Sequence, residues 1–111
     1  MALQEKQLGQ LRPANTTAAS IYSPGAGVTA IIRNITVCNL TAVAVNFSIF
    51  HDDDGTTYDE TTALFFVVRV EKNQTLQLTA YAAMNNPAGN LAVKTETSSS
   101  LNFTVYGAES T

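Results

Sequence analysis

The stretch Val43-Ala44-Val45-Asn46-Phe47-Ser48-Ile49 decides the fold. Val43, Val45, Phe47 and Ile49 fall on one side of an extended chain, and Ala44, Asn46 and Ser48 fall on the other. That alternation has period two, the signature of a strand with one buried face. The pattern recurs on either side. Leu101, Phe103 and Val105 alternate with Asn102, Thr104 and Tyr106, and Leu76, Leu78 and Ala80 alternate with Thr75, Gln77 and Thr79. Leu91 and Val93 repeat it over a shorter run. Between these runs lie Ser23-Pro24-Gly25-Ala26-Gly27, Asp52 to Gly55, Glu71-Lys72-Asn73-Gln74, Asn85 to Asn90 and Ser98 to Ser100. Each holds residues that pre-set a turn or tolerate left-handed backbone. Strands are expected over 16–22, 28–39, 42–51, 56–59, 62–70, 75–83, 91–97 and 101–108. No window keeps a helical period, so the fold class is all-β: an antiparallel sandwich of about eight strands, jelly-roll-like.

The 111 residues make one domain, 15–111, preceded by a distinct segment, 1–14. Three of the first ten residues are Gln, and Leu3, Leu8 and Leu11 are spaced like a weak helical stripe that Pro13 ends. This segment reads as an extended N-terminal arm outside the core. The composition, 45% hydrophobic and 14% charged, is that of a folded domain. A net charge of −3 gives no electrostatic footprint for nucleic acid. No apolar run is longer than Ala63 to Val68, so no membrane span is expected, and the first residues carry no secretory pattern.

Two strands are apolar on both faces: Leu64-Phe65-Phe66-Val67-Val68, and the one holding Ile31, Ile32, Ile35 and Val37. Each is either a central strand covered on both sides or a subunit interface, with an outward Phe65 or Val67 meeting a neighbour. The acidic stretch His51 to Glu60 offers Asp52, Asp54 and Asp59 or Glu60 as candidate calcium ligands. Their spacing does not match the twelve-residue helix–loop–helix pattern, and Asp54-Gly55 reads as a hairpin turn. No metal and no cofactor is therefore assigned. Catalysis is not expected either: the carboxylates do not form a spaced pair, and Cys38, mid-strand, makes only a formal nucleophilic pair with His51. Asn15, Asn34, Asn39, Asn46, Asn73 and Asn102 each head an Asn-x-Ser/Thr triplet. In a strand, residues i and i+2 share a face, so these triplets write out polar faces.

The segments Leu8 to Thr17, Tyr22 to Gly27, Ile31 to Asn39, Asp52 to Phe65 and Asn86 to Val93 resemble small β-sandwich virion proteins of tailed bacteriophages. The resemblance covers most of the chain and lies in structural punctuation. It implies a capsid decoration (cement) protein that binds the major capsid protein on the outer shell as a homotrimer, made in the host cytoplasm. A tail-fibre, neck or baseplate adaptor is the first alternative, and the sequence stops at Thr111 without the further domains that fibre modules usually carry. A calcium- or carbohydrate-binding module using the 52–60 loop is the second. The interface residues expected are Leu3, Leu8, Leu11 and Arg12 of the arm, with Phe65 and Val67. Deleting residues 2–12 is expected to weaken attachment while leaving the domain folded.

Overall fold

A computed structural model describes residues 3–110. The strands are β1 (Gln4–Leu11), β2 (Ala19–Tyr22), β3 (Thr29–Asn39), β4 (Val45–Asp52), β5 (Ala63–Val70), β6 (Thr75–Met84), β7 (Asn90–Thr95) and β8 (Leu101–Ser110). They form two four-stranded antiparallel sheets, ordered β1-β8-β3-β6 and β2-β7-β4-β5. This order is a jelly roll: the first strand lies beside the last, and the chain crosses repeatedly between sheets.

The alternation in β4 sets the core. Val45, Phe47 and Ile49 face inward and meet Ile32, Ile35 and Val37 of β3, Leu91 and Val93 of β7, and Leu101, Phe103 and Val105 of β8. The Phe47 and Phe103 rings pack edge to face at 5.9 Å and 71°. Such a pair adds about 0.5–1.5 kcal/mol beyond the area it buries. Val43, expected on this face, stands exposed in the turn before β4. That turn is closed by buried Asn39, whose amide donates to the carbonyls of Val43 (2.8 Å), Val70 (3.2 Å) and Glu71 (3.2 Å).

Three expectations are corrected. The N-terminal segment is not an arm over residues 4–11: it is β1, paired from Gln4↔Glu109 to Leu11↔Phe103. Residues 1 and 2 of the expected arm lie outside the described residues. The Leu8 and Leu11 spacing that imitates a helical stripe comes from an extra residue inserted between Gln7 and Gly9, where the register with β8 shifts. The bulge resets the alternation, so Leu8 and Leu11 both pack against the core. Gly9 then lies so close to β2 that a Cβ would sit 2.5 Å from the Ile21 carbonyl oxygen, bringing the edges of the two sheets together.

The strand expected at 56–59 is absent, and Asp54-Gly55 is not a two-residue hairpin turn. Residues 53–62 form one loop between β4 and β5. The two strands apolar on both faces separate: β3 is central, between β8 and β6, whereas β5 is a sheet edge.

Candidate functional site

The loop that carries the acidic residues is organised around its own carboxylates. Asp52 ends β4, and its carboxylate accepts the N–H groups of Asp54 (3.2 Å) and Thr57 (2.8 Å). The bond from Thr57, more than that from Asp54, holds the Asp52 carboxyl below its ordinary pKa, while Asp54 is pushed up by its hydrogen bond to Asp52 and by that charge. Asp59 caps the last turn, accepting the N–H of Thr61 at 2.8 Å and its hydroxyl at 2.5 Å. Asn90 donates to the Gly55 carbonyl at 2.9 Å, tying the loop to β7. The result is a lid on the outer side of the second sheet, with Tyr58 stacked at 6.2 Å over buried Phe50. Asp52 and Asp59 thus serve backbone donors and Asp54 bonds to Asp52, and among the described residues no three acidic, His or Cys side chains converge as metal ligands. Cys38 and His51 lie on different sheets, in β3 and β4, and form no pair.

A first exposed surface is the β5 edge. Ile49 pairs with Phe65 and Phe47 with Val68, so Phe66 and Val67 together oppose the single residue Ser48. At this bulge Val67 adopts φ 52°, and its N–H donates to the Ser48 hydroxyl at 3.0 Å. The bulge turns both residues outward: Leu64, Phe66 and Val67 are 42%, 52% and 50% exposed. Three large apolar side chains therefore stand in water on one edge strand.

The second surface is the outer face of the β1-β8-β3-β6 sheet. One row across the four strands reads Gln10, Thr104, Thr36, Gln77, and the next reads Gln7, Tyr106, Asn34, Thr79. At this level the register shifts in the β1–β8, β3–β8 and β3–β6 pairs. The shift sets Arg33 and Asn34 side by side, and Arg33 reaches across β8 to Glu5 of β1, with 3.3 Å between Nε and the carboxylate. Below that bridge lies Gly107. A Cβ there would collide with the Ile31 carbonyl, so only glycine fits the position. The open depression, of about 520 Å³, is walled by Glu5, Lys6, Gln7, Arg33, Asn34 and Tyr106. Tyr106 is 46% exposed, and Tyr81, outward on β6, is 74% exposed.

Of the six interface residues expected from sequence, Leu3 and Val67 are exposed. Leu8, Leu11 and Phe65 pack against the core. Arg12 donates from Nε (2.9 Å) and Nη2 (2.7 Å) to the Ser99 carbonyl, stapling the end of β1 to the β7–β8 turn. Leu64, Phe66, Tyr81 and Tyr106 were missed. Tyr81 and Tyr106 are signalled only as aromatics on the solvent phase of alternating strands, and Leu64 and Phe66 lie in a strand apolar on both faces, which gives no phase.

Fold and surfaces together define an eight-stranded jelly-roll domain with one apolar edge and one polar face. No protein-family model matches the chain, and no curated protein matches it.

Proposed function

We propose that this protein is a bacteriophage capsid decoration protein, binding the outer surface of the major capsid protein as a trimer at three-fold junctions. Bridging neighbouring subunits stabilises the shell by mass action, because binding favours the assembled state. A matching rotational oligomer lets every copy make the same contact. The observation that carries the reading is the apolar group Leu64, Phe66 and Val67 on the bulged β5 edge. It adds a docking surface to the resemblance that segments 8–17, 22–27, 31–39, 52–65 and 86–93 bear to phage virion proteins. A bulge spoils an edge for strand addition, so the contact is made by side chains and not by an extended sheet.

Disrupted particles, separated into heads and tails on a density gradient, test the location. Head fractions are expected to carry this chain in numbers comparable to the major capsid protein. A few copies running with tails would replace the decoration reading with a fibre or neck role. Phe66→Asp is expected to release the protein from heads with little change in its melting temperature, because Phe66 is half exposed and is not packed against the core.

A further inference from the structure

We propose that the outer face of the β1-β8-β3-β6 sheet binds a neutral oligosaccharide, with Tyr106 and Tyr81 as stacking platforms beside the hydrogen-bonding groups Arg33, Asn34, Gln7 and Glu5. This site is separate from the β5 edge and from the acidic loop, and it does not depend on where the protein resides.

The argument begins with the two tyrosines. An aromatic ring left in water on the outer phase of a strand adds little to folding, and two stand on this one face. β3 lies between their strands, so the strands that carry the two rings run about 10 Å apart. Two platforms at that separation address different units of one saccharide chain. A sugar presents apolar C–H faces and a rim of hydroxyls that both donate and accept. The tyrosines match the faces. The amides of Gln7 and Asn34 match the rim, since each offers both a donor and an acceptor. Arg33 only donates and Glu5 only accepts, and their ion pair holds both groups at the mouth of the depression.

Charge selects the ligand class. The rows Gln10-Thr104-Thr36-Gln77 and Gln7-Tyr106-Asn34-Thr79 contain no charged residue, Glu5 neutralises Arg33, and Lys6, which also lines the depression, is paired with Glu109. A face of this kind gives a polyanion no attraction, which disfavours nucleic acid and sulfated glycans. The aligned register shifts explain why the groups meet here, because bulges re-aim side chains and break a plain alternation.

Titration with short malto-, cello-, manno- and N-acetylglucosamine oligosaccharides tests the proposal. The readout is intrinsic tyrosine fluorescence, usable because the chain has no Trp. Saturable binding of at least one of these sugars is expected. Tyr81→Ala and Tyr106→Ala should each weaken it about tenfold, and Phe66→Asp should leave it unchanged. Tyr81 is so exposed that its replacement leaves the fold intact, and Tyr106→Phe, which keeps the ring, should retain binding. Absence of binding to every neutral sugar, binding untouched by both alanine changes, or binding confined to anionic glycans would each overturn the proposal. Occupation of this face by a second protein, with no sugar bound, would overturn it too.

Discussion

Val67 holds a conformation that its side chain resists. A β-branched residue at φ 52° brings its Cβ against the backbone carbonyl, a cost of about 1–2 kcal/mol. The Ser48 hydroxyl that receives its N–H helps to keep it there. Asparagine tolerates left-handed backbone, so Val67→Asn should raise unfolding stability by about 1 kcal/mol in urea titration. The same change removes an outward apolar group and, on the proposed decoration role, should weaken attachment to heads. A variant that is more stable and equally well attached would remove Val67 from the docking contact. Gly107 makes the opposite case. Gly107→Ala pushes a methyl into the Ile31 carbonyl between two bonded strands and should cost about 1–3 kcal/mol by the same titration.

At the scale of elements, β1 joins β8 through backbone pairing and an ion pair, and the same carboxylate ties β8 to the partner sheet. Lys6 of β1 pairs with Glu109 of β8 at 2.7 Å, and the hydroxyl of Tyr22 on β2 donates to the same carboxylate. These hydrogen bonds, Lys6 first and Tyr22 second, hold Glu109 below its ordinary value of 4.5. A lowered folded pKa contributes stability that is present above the unfolded value and is lost as pH falls through the folded one. Stability should therefore decline below pH 4.5, and Glu109→Gln should flatten the part of that decline due to this carboxylate, read from denaturant midpoints across acid pH. Burial, then Glu109, pushes the Tyr22 phenol up, so its contribution is lost on the alkaline side, as pH rises beyond the ordinary value of 10.0. Removing residues 4–11 should cost most of the folding stability, not attachment alone, because Leu8 and Leu11 leave the core and β8 loses a partner.

These elements also mark what a reader of the sequence can see. The alternations around Phe47, Leu78 and Phe103 are long and regular, and they place β4, β6 and β8 within a few residues. β1 is hidden because its bulge turns period two into a spacing of three between Leu8 and Leu11. Thr56 to Asp59 imitates a strand, yet its backbone serves Asp52 and the loop. Both surfaces depend on register. Phe66 looks like the inside of a doubly buried strand until β5 is known to be an edge, and Tyr106 joins Arg33 only through shifts in strand pairing that leave no compositional trace.

Across the whole molecule, β1 and β8 are neighbours in space and the most distant strands in sequence, with Gln4 opposite Glu109. β8 also separates β1 from β3, so neither can complete its pairing before the last strand arrives. Contacts of such sequence separation slow folding, because a long loop must close before it is rewarded. During synthesis the β1-β8-β3-β6 sheet therefore waits for the final ten residues of the described chain to leave the ribosome. A chain ending at Ser98 should show no cooperative unfolding transition by circular dichroism, although it retains seven of the eight strands. An incomplete copy thus never presents a finished β1-β8-β3-β6 sheet, and quality control is exercised by the order of translation itself.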